Sequence, residues 1–380
     1  MLKKLNAWLH LWLGLASGIV VLIVSVTGCI LVFEQEIKSM VHPWLHAEKP
    51  AGAAYLPPSA LYQSVAKGLP GKEAHSVWYH GSNRTAHLTL DGDSVVYMNP
   101  YTAEITAVVD HEDFFHIVEE GHRHLWLPVE VGRAIEGWGT LIFFVLLVTG
   151  VILWWPRRWN KKAVKQSFTI RWKARFKRVN YDLHNVLGFY ALILSVIIAF
   201  TGLMMSFPWF NKTVFRLAGG EIKPRVQAVS DTSLAGNTVM LQQVDKAWQK
   251  GLQEIGQHNT DQVIVHFPDE PDEAIYVCVD MYRGSWRDVY LDQYSLAELP
   301  ASAPRLEDTK GGAWLRRMNY GLHVGEVGDL TTKILYFLGS LICASLPVTG
   351  FMVWWGKKRK KTKKKLRPQR TVAYMPAYNE

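Results

Sequence analysis

The chain has 380 residues, 42 Lys and Arg against 33 Asp and Glu, and 49% hydrophobic residues including 16 tryptophans. A mean hydropathy of zero is high for a soluble protein and hides a strongly uneven distribution, whose long apolar stretches exclude a soluble globular enzyme. Ordinary glycine (29) and proline (17) counts exclude a collagen-like or disordered chain.

Four apolar stretches stand out: Ala7–Phe33, Gly137–Trp155, Val186–Phe210 and Ile334–Trp355. Each reaches the roughly 20 residues needed to cross a hydrocarbon core of about 30 Å. The expected fold is therefore an integral membrane protein with a four-transmembrane-helix bundle. In chain order, helix 1 occupies 1–33, an external module 34–127, and helix 2 128–155. A basic loop fills 156–178, helix 3 179–210, and a second external module 211–322. Helix 4 runs over 323–356 and a basic tail over 357–380.

Within the first external segment, Pro58–Gly68 has helical spacing, and Ala74–His80, Thr85–Leu90 and Ser94–Tyr97 alternate as strands, with a hairpin turn at Asp91-Gly92. The second repeats this scheme: a helix over Thr238–Gly251, then strands at Val263–Phe267, Ala274–Val279 and Val289–Leu291. Both read as small α+β units roofing the bundle, with room for a cleft between them. Neither carries a nucleophile elbow, a Gly-rich phosphate loop or a cysteine metal cluster.

Charge sets the expected orientation. The loop between Pro156 and Arg178 holds ten Lys and Arg and no acid, and ten more bases follow Trp355 with only Glu380 against them. With Lys3 and Lys4 removed too, the remainder carries 20 bases against 32 acids. Positive-inside bias places both termini and the middle loop in the cytoplasm. Basic runs beside membrane spans imply contact with anionic lipid rather than nucleic acid. The three cysteines, Cys29, Cys278 and Cys343, make no disulfide framework. Val26-Thr27-Gly28-Cys29 has the form of a lipoprotein cleavage site, but an internal repeat accounts for those residues better, so the first span is expected to be retained.

That repeat is the most informative feature. Leu9-His10, Gly14 and Thr27-Gly28 recur 174 residues later as Leu183-His184, Gly188 and Thr201-Gly202. Val148-Thr149-Gly150 recurs 200 residues later as Val348-Thr349-Gly350, and Val96–Tyr101 parallels Val289–Tyr294. The fold is thus expected to derive from an internal duplication, its halves related by a pseudo-twofold axis along the membrane normal.

Histidines at equivalent depths suggest metal ligation. His10 and His184 head two spans near the cytoplasmic face, each with a glycine one helical turn on (Gly14, Gly188) that would leave room for a flat cofactor. Gly150 and Gly350 lie at matching depth and could admit the edges of a macrocycle, although small-residue helix packing also explains them. The pattern points to bis-histidine haem ligation. Gly28 and Gly202 lie near the outer face and suggest a second site there, with His124 and His323 as ligands and His122 competing with His124. His323 precedes Trp355 by 32 residues, about 48 Å of continuous helix. Either it stands above the bilayer or the chain breaks at Gly325 or Gly328. The remaining histidines, His111 and His258 among them, are assigned to the surface or a module core.

His10-Leu11-Trp12-Leu13-Gly14, the Thr-Gly pairs, Asp182-Leu183-His184 and Leu322-His323-Val324-Gly325 resemble the PepSY-associated transmembrane-helix family over nearly the whole chain. The family includes inner-membrane ferric-siderophore reductases of the ferrioxamine type. The resemblance implies PepSY-like external modules and two b-type haems per chain, the inner held by His10 and His184 and the outer by His124 and His323. The implied reaction is electron transfer across the inner membrane to a periplasmic ferric siderophore, releasing Fe(II). Some relatives append a cytoplasmic flavin-and-nicotinamide domain. With a basic tail in its place, a separate cytoplasmic or membrane electron donor is expected. A non-enzymatic PepSY protein that senses or inhibits a partner, and a di-haem carrier serving another acceptor, are the competing readings.

Overall fold

The computed structural model describes residues 1–365 apart from 92–93, 111–112, 157, 223, 225, 237 and 257–260, and only the backbone at 254 and 357–365. Gly92 of the expected hairpin, His111, His258 and the last 15 residues of the basic tail lie outside the described residues.

The first apolar stretch forms a single helix, α1 (Leu2–Leu31), followed by a short α2 (Glu34–Val41). The first external segment gives α3 (Pro58–Gly68) and strands β1 (Ala74–His80), β2 (Ala86–Leu90), β3 (Ser94–Met98) and β4 (Ile105–Asp110), then α4 (Phe114–His124). The chain returns through α5 (Val129–Trp154) and α6 (Lys161–Phe168). The third apolar stretch breaks into α7 (Phe176–Asp182), a π-type turn at Leu183–Leu187, α8 (Gly188–Tyr190) and α9 (Leu192–Ser206). Beyond Pro208 come α10 (Pro208–Leu217), α11 (Met240–Lys250), β5 (Gln262–His266), β6 (Ile275–Val279), β7 (Arg287–Leu291), α12 (Gly311–Val324) and α13 (Asp329–Lys365).

Among the described residues, three helices are long and apolar enough to cross a membrane. The pair Phe176–Tyr190 and Leu192–Ser206, bent by 64°, makes a fourth if it is one span. That bend departs from the straight helix expected over 179–210, and the π-type turn within it contains His184. Such turns shift a side chain around the helix axis and recur at functional sites. The last span is broken at Gly325, one of the two expected places. Its φ of 78° closes α12, and a Cβ there would lie 2.7 Å from the Tyr336 ring. The break removes the problem of a 48 Å continuous helix.

The two external segments do not form separate units with a cleft between them. They build one antiparallel seven-stranded sheet in the order β4-β3-β2-β1-β5-β6-β7, joined where β1 pairs with β5, from Ser76 with His266 to His80 with Gln262. One face buries Val77, Tyr79, Leu88, Val96, Val265 and Ile275 against α3 and α11, which contribute Leu61, Val65, Val244 and Trp248. Strand β4 was not expected from its sequence. It is an edge strand with no buried residue, so its apolar alternation is weak.

On the sheet's other face, His80 Nε2 meets His87 Nδ1 at 2.8 Å, and both rings lie against Trp78. Burial, and then the Arg84 guanidinium, pushes the His80 imidazole down to about 4. An unfolded chain, with an ordinary histidine value near 6.5, takes up its proton first as pH falls. This contribution is therefore fully present above about pH 6.5 and is lost as pH falls towards 4, on the order of 3 kcal/mol at most. Thermal denaturation should show the midpoint dropping over that window, with a smaller drop for His80→Phe. An identical drop in the variant would assign the effect to other groups.

Candidate functional site

Four imidazoles meet in two layers inside and beside the helix bundle. In the layer far from the sheet, His10 on α1 and His184 in the π-type turn face each other with ring centroids 6.3 Å apart and planes at 81°. Near the sheet, His122 on α4 and His323 on α12 face each other at 6.2 Å and 64°. His10 and Thr27 mark the two layers on α1 and are 17 residues apart, about 25 Å at helical rise.

Each imidazole is held in the same way. His10 Nδ1 lies 2.8 Å from Thr149 Oγ1, and His184 Nδ1 lies 3.0 Å from Thr349 Oγ1. His122 Nδ1 meets Thr27 Oγ1 at 3.0 Å, and His323 Nδ1 meets Thr201 Oγ1 at 3.0 Å. Each threonine hydroxyl already donates to a carbonyl of its own helix: Thr149 to Leu146, Thr349 to Ser345, Thr27 to Ile23 and Thr201 to Ile197. Having one proton, it can only accept from the imidazole. The Nδ1 atoms are therefore protonated, and each Nε2 keeps a free lone pair. This is the tautomer of a metal-binding histidine whose second nitrogen is fixed by an outer partner.

The glycines after these threonines admit the rings. A Cβ on Gly150 would lie 3.3 Å from His10 Cε1, and one on Gly350 3.1 Å from His184 Cε1. The corresponding distances are 3.2 Å for Gly28 and His122 and 3.4 Å for Gly202 and His323. Gly150 and Gly350, expected to admit the edges of a macrocycle, lie directly against the imidazoles. Gly14 and Gly188, one turn from the distal histidines, meet only Leu146 at 3.9 Å and Leu346 at 3.5 Å.

His124 is not part of the pair. Its Nδ1 donates to the Leu127 carbonyl at 2.9 Å, and its Nε2 lies 3.9 Å from Glu120. The reason is helical phase. Phe115, Val118 and Gly121 form the buried stripe of α4, and His122 continues it one turn after Val118. His124 points elsewhere and caps the helix end, where Leu125 and Trp126 turn left-handed. The sequence signal missed was an asparagine four residues before the histidine, at Asn6, Asn180 and Asn319.

Metal–imidazole bonds of about 2.0 Å, with about 1.1 Å from nitrogen to ring centre, put two axial rings about 6.2 Å apart. Both layers match. Among the described residues no cluster of three or more His, Cys, Asp or Glu is arranged to hold a bare ion. Two imidazoles at this spacing would suit an iron whose other donors belong to a macrocycle. A cavity of about 710 Å³ adjoins the proximal pair, lined by residues including His122, His323, Glu136, Phe143 and Cys343. That is within the roughly 300–1,000 Å³ range of cofactor sites. Glu136 is held there by hydroxyl donors, Thr140 and Ser206, at 2.9 Å each.

No curated protein matches the chain. The family model for the PepSY-associated TM region matches residues 7–357, which takes in both histidine layers, the sheet and every apolar helix. The chain is a membrane protein belonging to the PepSY-associated TM family.

Proposed function

We propose that this protein is an inner-membrane di-haem reductase that delivers electrons to a periplasmic ferric siderophore, with both termini in the cytoplasm. The observation that carries the reading is the pair of facing imidazoles, twice over, each with Nδ1 committed to a threonine and Nε2 free. His10 and His184 would hold one haem b, and His122 and His323 the other. When bound, such groups would supply one-electron carriers, and two histidines to each would suit electron transfer rather than oxygen chemistry.

The chain's own residues do the rest. Threonines fix the tautomer and so keep each imidazole neutral and basic towards iron. The basic loop and tail favour the cytoplasmic side and anionic lipid. The scaffold reads as an internal duplication with PepSY-like modules, supported by the 174-residue offset and by the antiparallel pairing of β1 with its counterpart β5. The acceptor class rests on the likeness to ferrioxamine-type reductases. Its hard oxygen donors favour Fe(III), and one electron per iron, drawn from a separate donor on the cytoplasmic side, gives the loosely held Fe(II).

Oxidised and reduced absorption spectra of the detergent-purified protein test this reading. A pyridine haemochrome assay should give about two b-type haems per chain, and the reduced protein should reoxidise on adding ferrioxamine. A colourless protein would refute the haem sites. A haem protein indifferent to ferric siderophores would be a carrier for another acceptor.

A further inference from the structure

Three of the four histidines are accompanied by an asparagine that grips the same threonine. Asn6 Nδ2 donates to the Thr149 carbonyl at 3.0 Å while His10 donates to its hydroxyl. Asn180 and His184 hold Thr349 in the same way, the amide bond being 3.0 Å. Asn319 and His323 hold Thr201, with the amide bond at 3.2 Å. In each case the asparagine precedes the histidine by four residues, so both lie on one helix face a turn apart. At the fourth histidine the equivalent position is Val118, whose side chain has no amide to donate, and His122 meets the Thr27 hydroxyl with no asparagine beside it among the described residues.

We infer that Asn6, Asn180 and Asn319 are positioning residues for the axial ligands, and that His122 is the one ligand lacking this second restraint. This rests on the haem reading above. A single hydrogen bond from an imidazole leaves its helix free to roll about the threonine. A second bond one turn away, to the carbonyl of the same residue, fixes both rotation and register, and with them the direction of Nε2.

The burial of these amides supports a role for the donor. Asn180 and Asn319 are buried, and Asn319 Oδ1 has no hydrogen-bond partner among the described residues. An amide kept with its acceptor unsatisfied is costly where an apolar side chain would pack without loss. The asymmetry has a consequence for the two layers. The distal pair has both ligands doubly held, whereas the proximal pair has only His323 so held.

The test uses the full-length, haem-loaded protein in detergent. The variants are Asn6→Ala and Asn319→Ala, and each layer is followed by its low-spin EPR signal and by the rate of haem transfer to apomyoglobin. Asn6→Ala should shift the distal signal and speed distal haem loss about tenfold, leaving the proximal signal in place. Asn319→Ala should do the reverse. In the wild type, proximal haem should be lost faster than distal. Unshifted signals with rates within twofold of wild type would overturn the proposal. So would both signals moving together in either variant, since that marks general loosening of the bundle. Asn6 is only half-buried near the start of α1, so Asn6→Ala decides alone if Asn319→Ala does not fold. A wild type without haem would refute the underlying reading instead.

Discussion

His122→Ala is expected to halve the haem content, from about two per chain to about one, while His124→Ala leaves both haems bound. His122 is 6.2 Å from His323 between ring centres, and its Nδ1 is committed to Thr27. Truncation would remove one of the two imidazoles proposed to hold that iron beside the cavity, and His323 alone would not keep it low-spin. The same substitution at His124 removes a bond to the Leu127 carbonyl, worth on the order of 1 kcal/mol of stability. Haemochrome stoichiometry and the low-spin EPR signals report both variants directly. Loss of haem from His124→Ala with retention in His122→Ala would reverse the assignment.

His10→Ala and His184→Ala should each remove the distal haem and spare the proximal one. The two layers share no ligand and stand about 25 Å apart along α1. Reduction of a ferric siderophore by a donor on the distal side should fall to background in either variant. Chemical reduction with dithionite should still bring up the proximal haem spectrum, and that protein should still discharge to the siderophore. Haem content must be measured alongside activity, because truncating an interior polar residue can also loosen a bundle. If both variants keep two haems and wild-type activity, the pairing of His10 with His184 is wrong.

Much of this site could be read from the chain because its parts are local. His10 and His184, with their glycines a turn away, repeat at a fixed offset, and each Thr-Gly pair is contiguous. Depth along a helix follows from counting residues, so Thr149-Gly150 could be set at the level of His10 without any coordinates. The choice between His122 and His124 could not be made in this way. Two residues apart on a helix point to different sides, and which side meets α1 depends on how α4 docks. All strands but β4 were legible by alternation within a residue or two, β1 at its observed limits, but their assembly was not. The β1–β5 pairing joins residues nearly 190 positions apart, and nothing within either strand names its partner.

The presence of the apolar stretches, the basic segments and the recurring His and Thr-Gly elements was determined by the sequence alone, because hydropathy, charge and helical period act over a few neighbouring residues. The tertiary structure decided which threonine each histidine meets and what each glycine is for. His10 crosses from α1 to Thr149 on α5, while His323 crosses from α12 to Thr201 on α9. Such contacts depend on helix rotation and approach distance, which are set by packing many residues at once. The break at Gly325 and the left-handed turn at Leu125 set the angle at which α12 and α4 return over the bundle. Those angles bring His323 and His122 to face each other.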